Sequence, residues 1–113
     1  MKTGNLIVDL TFDFALKIIE FCELLEEQKK FVIAKQLLKS GTSIGANTRE
    51  SQACESKADF VHKLKVAEKE ACETEYWLLL CKYSKKYPFD EELLNQINSI
   101  RKVLSKIISS SKK

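Results

Sequence analysis

The chain has 113 residues, 44% of them hydrophobic and 31% charged, and a formal net charge of +3. That length supports one domain with a small core, and one proline with three glycines excludes an all-β fold, which needs a turn about every ten residues. No run approaches the ~20 apolar residues of a membrane span, and the apolar start meets Asp9 and Asp13 too soon for a secretory signal.

The cysteines are Cys22, Cys54, Cys72 and Cys81. They form no CxxC pair and follow no export signal, so they read as reduced thiols of a cytoplasmic protein, mostly small core residues. His62 is the lone histidine. Zinc needs tighter ligand clusters, so neither a metal nor a cofactor is expected.

Residues 1 to 10 read as extended or irregular. Thr11 is a plausible N-cap, with Asp13 in the first turn where the helix dipole favours negative charge. Phe14, Ile18, Phe21, Cys22 and Leu25 then recur with helical spacing, giving a helix over about 11–27. Polar residues Glu26 to Lys30 make a short link, which favours an antiparallel neighbour.

A second helix covers about 31–52, with Ile33, Leu37, Ser40, Ile44 and Asn47 on one face. Each glycine inside it costs roughly 1 kcal/mol against alanine. The apolar period nevertheless crosses Gly41, and Gly45 follows one turn later on the same side. Small residues there let another backbone approach; the alternative is a kink or break at Gly41.

Ser56 caps a third helix over about 57–86, with Asp59 at its third position. Its core face is Val61, Leu64, Ala67 or Glu68, Ala71, Glu75 and Leu78. Tyr87-Pro88 closes it, because a residue before proline avoids the helical region. Asp90 caps a fourth helix over about 90–109. There Leu93, Ile97, Ile100, Leu104 and Ile107 form a heptad seam. The tail from Ser109 to Lys113 is expected to fray. The fold class is therefore all-α, an antiparallel up-and-down four-helix bundle.

Two features break ordinary helix writing. The first is Tyr76-Trp77-Leu78-Leu79-Leu80-Cys81, which is apolar on every side of a helix. Tyr76, Leu80, Tyr83 and Tyr87 make a second stripe, and a second stripe wants a second partner. A homo-oligomer interface at Tyr76, Trp77, Leu80, Tyr83 and Tyr87 is expected. The alternative is a thick monomer core covered by an N-terminal arm, Leu6 to Leu10. The second feature is polar residues on apolar faces: Ser43, Asn47 and Glu50 on helix two and Glu75 on helix three. Such groups must be hydrogen-bonded or exposed. They read as a network fixing helix register rather than a buried site, since a carboxylate and an amide lack the second acid, base or nucleophile of a mechanism. No catalytic residue is assigned.

SGTSIGANTRE and ESKADFVHKLKVAEKEACETEYWL resemble the 23S rRNA intervening-sequence proteins, over about residues 11 to 108. Gln36-Leu37, Ser43-Ile44, Asn47, Glu50 and the segment from Lys57 to Leu78 carry the likeness. Thr48 and Ser51 depart from it, standing where the family is expected to be more apolar. The resemblance implies a four-helix bundle assembled as a ring, a homopentamer. It also implies kinship with the accessory variability proteins of diversity-generating retroelements, basic barrels that bind nucleic acid and a reverse transcriptase.

The function expected is a non-catalytic oligomer that associates with RNA or DNA through a basic surface. Contacts would come from Lys29, Lys30, Lys35, Lys39 and Arg49, then Lys82, Lys85, Lys86, Arg101, Lys102, Lys106, Lys112 and Lys113. Five chains of +3 would carry about +15, enough for a long-range field. The alternative is a protein-interaction scaffold that touches no nucleic acid; no membrane partner is expected. Solvated helix faces interleaved with Glu remain the plainer meaning of such charge.

Overall fold

In the computed structural model, which describes residues 2–111, the first helix is longer than the sequence suggests. Helix α1 runs Leu6–Glu27, capped by Asn5, whose side-chain oxygen accepts from the Val8 amide at 3.3 Å. Asp9 sits in the first turn and accepts from the Thr3 hydroxyl at 2.8 Å and the Thr3 amide at 2.9 Å. Those bonds hold its carboxyl below the usual aspartate range. Thr11, expected as the cap, lies inside the helix and is buried; its hydroxyl donates to the Ile7 carbonyl at 2.8 Å. Ile7 and Val8 are buried on the helix face, so residues 6 to 10 of the stretch expected to be extended or irregular are helical, while 2 to 5 are not.

The C-terminus of α1 closes in a Schellman arrangement. The Lys30 amide donates to Leu25 and the Lys29 amide to Glu26, at 2.8 and 2.9 Å, with Lys29 at φ 62. Helix α2 (Phe31–Ser51) begins at once and passes Gly41 and Gly45 without a break. A Cβ on Gly41 would stand 2.9 Å from Ile18 Cγ2, and one on Gly45 3.2 Å from the Thr11 carbonyl oxygen. The glycines are therefore where α1 rests on α2, and the tertiary contact outweighs their low helix propensity.

Helix α3 (Lys57–Tyr83) starts at Ser56, whose hydroxyl accepts from the Asp59 amide. It stops three residues short of the expected Lys86. Ser84 is extended and Lys86 takes φ 66, so the chain leaves the helix before Tyr87-Pro88 rather than at it. Helix α4 (Glu91–Ser111) follows Asp90, which accepts from the Glu92 amide at 3.0 Å. It continues through Ser109, Ser110 and Ser111, expected to fray; Lys112 and Lys113 lie outside the described residues. Its buried seam is Leu93, Leu94, Ile97, Ile100, Leu104 and Ile108, so the last position falls on Ile108 and not Ile107.

Close contacts join α1 to α2, α2 to α3, α3 to α4, and α4 back to α1, with none across either diagonal. The longest link, Ser84 to Asp90, reaches at most about 25 Å. The 27 residues of α3 are about 40 Å long, so successive helices must run antiparallel. The body measures 46 × 24 × 20 Å.

The core runs down the middle through Phe14, Ile18, Leu25, Leu37, Ile44, Leu64, Leu78, Ile97 and Leu104. Its polar residues bond mostly within their own helices: Thr48 donates to Ile44 and Ser51 to Thr48. This back-bonding satisfies both hydroxyls inside the core. One pair crosses helices. Thr74 Oγ1 lies 2.9 Å from Ser40 Oγ and 2.8 Å from the Glu70 carbonyl. Ser40→Ala is expected to cost about 1 kcal/mol in urea denaturation, the loss of the one cross-helix bond, since Thr74 keeps the Glu70 carbonyl as its acceptor.

Candidate functional surfaces

The apolar run on α3 divides by exposure. Leu78 and Cys81 are buried, Trp77, Leu79 and Leu80 are half-buried, and Tyr76 and Tyr83 are 55% and 77% exposed. Tyr76 and Trp77 meet edge to face at 5.3 Å, and Trp77 Nε1 donates to Glu73 at 3.2 Å. Tyr87 leaves the stripe. It lies beyond the helix end, packs against the core and carries the Lys30 ammonium 4.8 Å from its ring centre. The stripe therefore consists of Tyr76, Leu80 and Tyr83. The start of α1 does not cover it. Asn5 bonds Gln52, which puts Leu6 to Leu10 at the opposite end of the body from Tyr83.

The four expected network residues are not brought together. Ser43 donates to Lys39 and Asn47 to Ser43, both along α2. Glu50 accepts from Lys63 at 2.9 Å, tying α2 to α3 and raising the Lys63 pKa. Glu75 accepts from Arg101 at 2.8 Å, tying α3 to α4. These are separate links between neighbouring helices. The buried polar pair, Ser40 with Thr74, is a different one.

The candidate phosphate contacts occupy several faces. Lys35 and Lys39 are exposed on α2, and Lys39 faces Glu70, opposing the rise in the Glu70 pKa that burial causes. Arg49 lies over the Phe12 ring at 5.8 Å. Lys82 pairs with Glu91 at 3.4 Å, while Lys85 and Lys86 are exposed in the turn. Arg101 and Lys102 line an open groove of about 310 Å3 between α3 and α4, with Glu68, Asn98 and Ser105. Lys106 is exposed one turn beyond. The basic residues thus occupy several faces, with Lys29 and Lys30 brought to the same end of the body as Lys82, Lys85 and Lys86 by the contact of Lys30 with Tyr87.

The outer face of α1 carries a surface that the apolar period did not point to. Leu16 and Ile19 are 48% and 41% exposed among six carboxylates, against one lysine in the helix, a net of −5. Its signal lay in acid spacing: Asp9, Asp13, Leu16, Glu20, Glu23 and Glu27 recur at four and three residues.

Among the described residues, no group of three or more His, Cys, Asp or Glu side chains could hold a metal, and no helix is long and apolar enough to cross a membrane. All four cysteines are free. Burial pushes the Cys22 thiol up to about 12 and the Cys81 thiol up to about 11, which removes both as nucleophiles near neutral pH.

A crystal structure of a protein of unknown function from the S23 ribosomal protein family of Bacteroides thetaiotaomicron is similar, with a TM-score of 0.83 and 46% identity. The likeness covers 90% of this chain and 97% of that one. No curated protein matches. The sequence model of the 23S rRNA-intervening sequence proteins matches residues 5–107. With the four helices, the glycine contact and this match over nearly its whole length, the chain belongs to the 23S rRNA-intervening sequence protein family.

Proposed function

We propose that the protein is a non-catalytic, self-assembling helical bundle of the cytoplasm, ring-like in its assembly, that offers a summed basic surface to structured RNA or DNA. The observation that carries this reading is the aromatic stripe of α3. Tyr76 and Tyr83 are largely exposed beside half-buried Trp77 and Leu80, and among the described residues no segment of the chain covers them. Exposed aromatic side chains clustered in this way usually mark a protein contact.

The non-catalytic part is supported by the engagement of the polar side chains. Glu50, Glu75, Thr74 and Ser40 each hold a neighbouring helix, and the buried thiols are held protonated. The nucleic-acid part rests on repetition. One chain of net +3 with scattered lysines is a weak ligand for phosphate, but a ring repeats Lys85, Lys86, Lys102 and Lys106 in a fixed array.

Absolute mass from light scattering, followed by binding of a structured RNA and a DNA duplex across a salt series, tests the reading. The expected outcome is a multiple of 13.0 kDa and affinity falling at least tenfold between 50 and 200 mM salt, about the dependence of several phosphate contacts. A multimer with no salt-sensitive affinity for either would leave a protein scaffold. A monomer would remove the premise.

A further inference from the structure

The self-assembly just proposed needs a surface to receive the aromatic stripe, and the charge pattern names one. The outer line of α3 reads Lys65, Lys69, Cys72, Tyr76, Leu80 and Tyr83, at helical spacings of four and three. All but Leu80 are exposed, and the line contains no acid. The outer line of α1 reads Asp9, Asp13, Leu16, Glu20, Glu23 and Glu27 and contains no base. Among the described residues no salt bridge reaches Glu20, Glu23 or Glu27 on one line, or Lys65 or Lys69 on the other. Helices α1 and α3 are diagonal neighbours, without close contact, so the two lines lie on opposite corners of the bundle.

We infer that the acidic α1 line of one copy docks along the basic, aromatic α3 line of the next. In a closed ring of three or more copies the two helices run parallel, so Asp9 and Asp13 face Lys65 and Lys69 while Leu16 and Ile19 supply apolar surface for Tyr76. The same charges oppose a symmetric α1 contact, which stacks carboxylates on carboxylates at a cost of several kcal/mol across an interface, and a symmetric α3 contact sets Lys65 against Tyr83 and leaves the α1 acids without a counterpart. The contact is therefore head to tail. Each copy, once docked, still presents one free line of each kind, so growth ends only by closure. This inference rests on the self-assembly reading and adds which two surfaces meet.

Charge reversal tests it. Asp9→Lys with Asp13→Lys is one variant; Lys65→Glu with Lys69→Glu is the second; the third carries all four changes. None of the four sites is buried, and circular dichroism checks that the helices persist. Either single-side variant is expected to fall to the 13.0 kDa chain mass, and the combined variant to regain the wild-type mass. Cys72, which the docking would cover, is expected to react slowly with a thiol reagent in the assembled wild type and at least tenfold faster in both single-side variants. Single-side variants that keep the wild-type mass would overturn the pairing while leaving self-assembly standing. So would a combined variant that stays monomeric, or a Lys65→Glu/Lys69→Glu protein that loses nucleic acid but not mass. A monomeric wild type would overturn both.

Discussion

Gly41→Val is expected to lower the stability of the folded chain by about 3 kcal/mol, the upper range for overpacking a well-filled core. The added Cβ alone would stand 2.9 Å from Ile18 Cγ2, and Ile18 is fully buried. Valine's better helix propensity returns only about 0.5 kcal/mol. The partner variant makes the result specific. Ile18→Ala alone removes buried apolar volume and costs about 3 kcal/mol. In the Gly41→Val background it is expected to cost far less, since the valine fills the space vacated, giving a coupling of about 2 kcal/mol. Urea denaturation of the four proteins reads this directly. Additive costs would mean that α1 does not lean on α2 through Gly41.

Cys22 and Cys81 are expected to resist a thiol reagent until the whole chain opens. Both are almost fully buried, and their thiols are held protonated by that burial. A domain of ordinary stability is unfolded for about 10⁻³ to 10⁻⁶ of the time, so their native labelling should be slower than in the unfolded chain by roughly that factor. Half-exposed Cys54 supplies the internal reference. The two core thiols should react together, at one rate that tracks urea, because they sit in one core on two helices. Labelling of Cys22 well before Cys81 would show that α1 detaches separately. The same placement keeps the pair from cross-linking: α1 and α3 make no close approach, and a disulfide requires Cα atoms within about 7 Å.

The sequence carried the helical register well, because core periodicity is a strong signal. Leu37, Ile44, Leu64, Leu78, Ile97 and Leu104 are buried where their spacing put them. The helix ends were harder to read. Thr11 followed by Asp13 looks like a cap, yet a buried threonine can return its hydroxyl to the preceding turn, as Thr11 does to Ile7. The true cap, Asn5, precedes an apolar run that also suits an extended arm. Tyr87 was placed on the stripe by spacing alone, which fails once Ser84 leaves the helix.

The polar positions were the least legible, because a sequence shows which residues are polar but not which partners they meet. Glu75 reads as a seam residue, and only its approach to Arg101 shows it to be a link between helices. Thr74 reads as unremarkable and is fully buried against Ser40. The acidic line on α1 was available as a spacing, but a period of charges is normally a solvated face. Only its position diagonal to α3 gives it a counterpart.

The order of the helices around the bundle also bears on how the chain reaches this state. Three of the four helix seams join segments that follow one another, so each can zip up across a short turn with little loss of chain freedom. The fourth, between α1 and α4, brings together Lys17 and Glu92 and must close the longest loop in the molecule. A topology this local belongs with the fast-folding class, at microseconds to milliseconds. The α1–α4 seam is accordingly the one whose closure costs the most chain entropy.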